Sequence, residues 1–173
     1  STFANRTTAN GLGDNLVRGV FVSGTTVYAA TNGGLSISVN GGASFTNKTT
    51  ANGLGHNIVY GVFAIGSGIY AATWGGLSIS TDGGSSFENK TTANGLGNNT
   101  VNGVYASLSV VYAATDGGLS IGKNYLTARS IDVYDGWVLE SSETSAVGGS
   151  MNSANTVFRL GDDAANRQYR AFL

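Results

Sequence analysis

The chain has 173 residues with 9 basic and 10 acidic side chains, a formal net charge of −1, and only 11% charged residues, against roughly 25% in ordinary soluble domains. So sparse and balanced a charge gives no basic field for a phosphate backbone, which excludes nucleic acid as an expected partner. The lack of cysteine excludes thiol catalysis, disulfides and thiolate metal sites, and no apolar run approaches the ~20 residues of a membrane-spanning helix.

The first residues, STFANRTTAN, do not read as a signal peptide. Ser1-Thr2-Phe3 aligns instead with Ala43-Ser44-Phe45 one period later, so the chain is expected to open at the end of a turn whose first half is missing. The next element is the connector TTANGLG at residues 7–13, which recurs at 49–55 and 91–97. In it Gly11 and Gly13 are expected to take positive φ. Asn10 is expected to bond its own backbone in an Asx-turn, and Leu12 to plug the turn from below. In the second copy the connector is followed by IVYGVFAIG, which is apolar and β-rich, and then by IYAATWGG, LSISTDGG and SFENKTT. Runs this short, bounded by Gly, Asn and Asp, predict strands and turns, and the repeated glycines argue against helix.

The 42-residue step needs no gaps over units 3–44, 45–86 and 87–128, and the first two units agree at 28 of 42 positions. The pattern stops at Asn124. Four strands per ~42 residues is the size of one β-propeller blade. The fold is therefore expected to be all-β, with three propeller-type four-stranded blades in residues 1–125 forming an incomplete propeller. Ala29 and Ala30, with their copies, would let neighbouring sheets approach, and Tyr28, Tyr70 and Tyr112 would supply bulk at one place per unit. The tail, 126–173, has strand candidates SIDVYDGWVLESS, NTVFRLGDD and RQYRAFL.

Two resemblances attach to the repeat. Ser80-Thr81-Asp82-Gly83-Gly84-Ser85-Ser86-Phe87 resembles the Asp-box, S-x-D-x-G-x-x-W/F, of sialidase-like propellers. The first unit has Asn40 at the aspartate's place, and the third departs from the pattern. GLGDNLVRGVF followed by VYAATNGGLSIS looks like the repeats of two-component-regulator propellers. The tail resembles the opening of a DNRLRE-like, carbohydrate-binding-module-like β-sandwich of bacterial secreted proteins, which implies a partial sandwich. In the Asp-box families the box ties a hairpin and does not mark a catalytic site. A sialidase also needs an arginine cluster, a nucleophilic tyrosine and an acidic partner. Arg6 and Arg18 lie in one unit, with no arginine at the matching positions of the others.

These resemblances imply a non-catalytic, extracellular or cell-surface bacterial module for structure or recognition, with polysaccharide as the candidate ligand and no cofactor. Three blades cannot close a ring that normally holds four to eight, so the end faces need a partner. That partner is a homo-oligomer, a longer parent chain or the tail folded back. Two rival readings are a self-assembling ring or filament joined through exposed strand edges, and a fragment of a sialidase-like glycoside hydrolase. Within the constant frame, three sets of positions vary: Asp14, His56 and Asn98; Arg18, Tyr60 and Asn102; Asn32, Trp74 and Asp116. All are expected in turns or at strand starts, where repeat proteins build binding faces. Trp74 and Tyr60 would stack on a sugar, with Asp116 and Asn102 bonding hydroxyls. His56 has no second histidine at metal-ligand spacing, and no metal site is assigned. Asp162-Asp163 reads as a turn, with a Ca²⁺ ligand pair as the sharper alternative. Sequons stand at Asn5, Asn47, Asn89 and Asn98, the first three at the spacing of the repeat.

Overall fold

The computed structural model describes residues 2–107 and 109–123, and beyond them five short strands between 131 and 170. The chain divides into two compact units, Ser1–Asn124 and Tyr125–Leu173. The first unit is all-β and consists of three propeller-like antiparallel blades, none of them part of a closed ring. Blade 1 has the order β1 (Val17–Ser23), β2 (Thr26–Thr31), β3 (Gly34–Ser38) and β4 (Thr46–Lys48). Blade 2 repeats it with β5 (Val59–Ile65), β6 (Gly68–Thr73), β7 (Gly76–Ser80) and β8 (Glu88–Lys90). Blade 3 is β9 (Val101–Ala106), β10 (Val110–Thr115) and β11 (Gly118–Lys123). Sheet and sequence repeat are offset. The fourth strand of each full blade belongs to the segment that opens the next repeat. One period after β8 the repeat has ended, and β12 (Ile131–Val133) pairs with β13 (Trp137–Leu139).

In the second unit the stretch read as one strand candidate, SIDVYDGWVLESS, is thus a hairpin of two strands. A separate three-stranded sheet has the order β14 (Met151–Asn152), β15 (Val157–Phe158) and β16 (Tyr169–Arg170). The Asp162-Asp163 turn lies outside the described residues.

The connector forms because its hydrogen bonds close locally. Thr7, extended, caps a single 3₁₀ turn, Thr8–Asn10. Its Oγ accepts from the Ala9 N–H at 3.3 Å, and its own N–H donates to Asn10 Oδ1 at 3.1 Å, a reciprocal capping box. Asn10 therefore reaches back across the turn to Thr7, where an Asx-turn was the expectation. Gly11 ends the turn at φ 92°, where a side chain is strained. Gly13 differs from expectation, because it is not among the positive-φ glycines. It is small because a Cβ would stand 2.5 Å from the Asn47 amide. Leu12 and Leu54 are buried under the turn as plugs.

Asn47 and Asn89 are the pins of the polar frame. Asn47 Oδ1 accepts from Ser36 Oγ at 2.9 Å, and its Nδ2 donates to the Gly33 carbonyl at 2.8 Å. Ser36 Oγ in turn accepts from the Gly13 N–H at 2.9 Å. Asn89, Ser78, Gly75 and Gly55 repeat the arrangement. Fourth strand, third strand and connector are thus tied through one amide. Two of the four sequon asparagines hold the fold together with the amide that a glycan would need.

Each blade packs one face against the next. Phe21 meets Phe63 at 4.9 Å between ring centroids, and Phe63 meets Tyr105 at 4.7 Å. Leu35, Tyr28 and Ile37 share that forward face, since β1, β2 and β3 align Gly19 with Ala30 and Leu35, and Phe21 with Tyr28 and Ile37. The innermost strands approach through Gly19, whose Cβ would lie 3.2 Å from the Tyr60 carbonyl oxygen. The equivalent leucines show how the stack ends: Leu35 is 0% exposed, Leu77 4% and Leu119 65%. On the rear face the order reverses, with Val22 at 55%, Ala64 at 7% and Ala106 at 1%. Equivalent sheet positions therefore meet solvent on the outer faces of the two end blades, where uncovered apolar area costs about 25 cal/mol per Å².

Candidate functional site

In a four-stranded meander the connector and the turn between the second and third strands fall at one end of the sheet. All three variable sets lie there. The first closes the loop before the first strand. Asp14 Oδ1 accepts from the Leu16 N–H at 2.7 Å, His56 Nδ1 from the Ile58 N–H at 2.9 Å, and Asn98 Oδ1 from the Thr100 N–H at 2.8 Å. One backbone demand is met by three chemistries, and so the side chain is free to vary.

The other two sets face each other across 14 residues within each blade. In blade 1 Arg18 Nε donates to Asn32 Oδ1 at 2.6 Å. In blade 3 Asn102 Nδ2 donates to Asp116 Oδ1 at 2.7 Å. In blade 2 the facing pair is Tyr60 and Trp74, and each finds another neighbour. The Arg18 guanidinium of blade 1 lies over the Tyr60 ring, 5.0 Å from its centroid. His56 meets Trp74 at 5.3 Å and an interplanar angle of 59°. The structure therefore joins Arg18, Asn32 and Tyr60 across two blades, and joins His56 with Trp74 and Asn102 with Asp116. A Trp74–Tyr60 platform was the expectation, but the partners are His56 for Trp74 and Arg18 for Tyr60. Trp74 is 52% exposed, a large apolar surface on a turn held by the Thr73 hydroxyl, which donates to the Gly76 carbonyl at 2.7 Å.

The opposite end carries the turn between third and fourth strands. Asp82 accepts from the Ser86 hydroxyl, from the Ser80 hydroxyl at 2.7 Å and from the Ser86 N–H at 3.0 Å. These bonds, the Ser86 hydroxyl first, hold its carboxyl well below the usual carboxylate range. Blade 1 makes the same turn with neutral Asn40, whose Oδ1 accepts from Ser38 Oγ at 2.8 Å and from the Ser44 N–H at 3.0 Å. Because the folded-state pKa of Asp82 is depressed, its stabilisation is present above about pH 4, the ordinary aspartate value, and is lost as pH falls below that. Asp82→Asn, which cannot carry the charge, should lower the melting temperature near neutral pH and flatten its fall in acid, so that the two proteins converge as Asp82 protonates. Circular dichroism melts between about pH 2 and pH 6 read both effects.

Among the described residues no helix is long and apolar enough to cross a membrane. No family model and no curated protein matches the chain. Solved structures do. The extracellular domain of the one-component system BT4673 from B. thetaiotaomicron is similar at TM-score 0.53 and 13% identity, over 94% of this chain and 25% of that one. A computationally designed protein, Ika8, aligns at TM-score 0.47 and 10% identity, over 91% of this chain and 46% of that one. The extracellular domain of the hybrid two-component system BT4673 from the same bacterium aligns at 0.45 and 15%, over 83% and 19%. This chain spans about a quarter of the first of these structures, and the likeness is one of fold.

Proposed function

We propose that the chain is a non-catalytic extracellular recognition module that binds carbohydrate at the connector end of its blades. The observation that carries this reading is Trp74, half exposed on a turn beside His56 and flanked on the neighbouring blades by Arg18–Asn32 and Asn102–Asp116. An aromatic face next to amide, guanidinium and carboxylate groups offers a sugar ring its apolar side and its hydroxyls their partners. The two-component-regulator resemblance and a fold shared with an extracellular domain support an extracellular place. The Ser80–Phe87 turn is read as a structural Asp-box, far from this end.

The hydrolase reading has little support. Arg6 Nε donates to the Gly42 carbonyl at 2.7 Å, in the turn between β3 and β4, whereas Arg18 bonds Asn32 at the other end. The two arginines do not converge on one centre. The test is titration calorimetry against a panel of soluble bacterial and plant polysaccharides. Trp74→Ala should weaken any binding at least tenfold with an unchanged melting temperature. Equal affinity of the variant, or turnover of the glycoside, would overturn the reading.

A further inference from the structure

We infer that residues 3–6 of a second copy of this chain supply the missing fourth strand of blade 3. This goes beyond the recognition reading and does not depend on it.

The segment Phe3-Ala4-Asn5-Arg6-Thr7-Thr8 matches Phe45-Thr46-Asn47-Lys48-Thr49-Thr50 and Phe87-Glu88-Asn89-Lys90-Thr91-Thr92. In those two copies it forms β4 and β8. The strand pairs Leu35 with Lys48, Ser36 with Asn47 and Ile37 with Thr46, and blade 2 keeps the same register. The phenylalanine N–H donates to the connector carbonyl of Asn10 or Asn52 at 2.8 Å. In the first copy the segment is outside every strand, and Phe3 is 99% exposed where Phe87 is 8%.

Blade 3 shows the complementary lack. Among the described residues no strand pairs with the outer edge of β11. A Cβ on Gly53 would strike the Phe87 carbonyl and one on Gly76 the Lys90 carbonyl, yet Gly95 and Gly118 have no described residue within 4 Å. They keep positive φ, 95° and 109°. Ser120 Oγ accepts from the Gly97 N–H at 2.9 Å, as its twins do, and stands where those twins donate on to an asparagine. Ile121 is 64% exposed, while its twin Ile37 packs where Gly84 of the next blade leaves room.

The chain's own later residues do not carry the pattern. One period after Phe87-Glu88-Asn89-Lys90 stand Arg129-Ser130-Ile131-Asp132, and β12 is already paired with β13. Residues 3–6 cannot turn back to blade 3 of their own chain. Arg6 is bonded to Gly42, and the Thr8 N–H donates to Asn15 Oδ1 at 2.9 Å, which fixes them beside blade 1 with blade 2 between. In a second copy the geometry continues the stack. Ala4 would face Ile121, Asn5 would face Ser120, Arg6 would face Leu119, and blade 1 of the donor would cover the forward face of blade 3. Two copies then make six blades, within the four to eight that close. The interface is head to tail.

The chain lacks cysteine, so a crosslink reports the pairing directly. Residues opposite each other in an antiparallel pair fall within disulfide reach. Ala4→Cys protein and Ile121→Cys protein, mixed and mildly oxidised, should yield a disulfide joining residues 4 and 121 of different chains, identified by peptide mass. Both positions are exposed, so neither change threatens the fold. Sedimentation velocity of the natural chain at micromolar concentration should give the mass of two chains. Asn5→Ala should weaken the pair about tenfold or more, because two hydrogen bonds are lost, without lowering the melting temperature of the dissociated chain. A monomer, an absent mixed disulfide, or an Asn5→Ala variant that associates as before would each overturn the inference.

Discussion

Gly53→Ala is expected to destabilise the first unit by about 3 kcal/mol, the sum of a left-handed backbone cost of 1–2 kcal/mol and overpacking of 1–3 kcal/mol. Gly53 stands at φ 94° at the end of its 3₁₀ turn, and the added methyl would run into the Phe87 carbonyl. That carbonyl belongs to the peptide that opens β8, which is held by the pairing of Glu88 with Ile79. Connector and fourth strand would have to separate. Gly66 is the control. It also has positive φ, 58°, but no described residue lies within 4 Å of its Cβ, so Gly66→Ala should cost only about 1 kcal/mol. Urea unfolding followed by far-ultraviolet circular dichroism distinguishes the two. Equal losses would show that backbone conformation alone matters and that the close approach of connector to strand does not.

The second large effect is Tyr70→Ala, expected to cost about 4 kcal/mol by analogy with buried aromatic truncations of 3–5 kcal/mol. Tyr70 is completely buried in the middle blade, between Phe63 and Ile79 in register. Neither neighbouring sheet can collapse into the space, since both are held by their own ladders. Against a total of 5–15 kcal/mol for a typical domain, this change should leave the protein marginal at room temperature. Tyr112 is the same residue one period later and is 37% exposed. Its removal should cost a single chain about 1 kcal/mol, because half-solvated side chains lose less transfer energy and leave no closed cavity. A comparable loss at both positions would mean that the end blade is covered in the dissociated chain.

The repeat, the strands and the connector were legible because each rests on local chemistry written three times. Thr, Asn and Gly at fixed offsets specify a capped turn whatever follows, and short β-rich runs between glycines leave little choice but strands. The role of Gly13 was not legible, since the reason for its size is the Asn47 amide 34 residues further on. Asn47 and Asn89 carried a visible signal, an asparagine at constant spacing, but the sequon hid it. Only the third-strand serine, brought opposite by the register, shows what the amide is for. The candidate site was half legible. Variation marked Arg18, Asn32, His56, Tyr60, Trp74, Asn102 and Asp116, and the topology gathers them at one end. Their partners were not legible, because a cation over Tyr60 from the neighbouring blade depends on how two sheets stack.

The offset between repeat and sheet has a mechanical consequence. Each full blade is completed by a three-residue strand that the following repeat contributes, so no 42-residue repeat can be lifted out without peeling that strand from the sheet it completes.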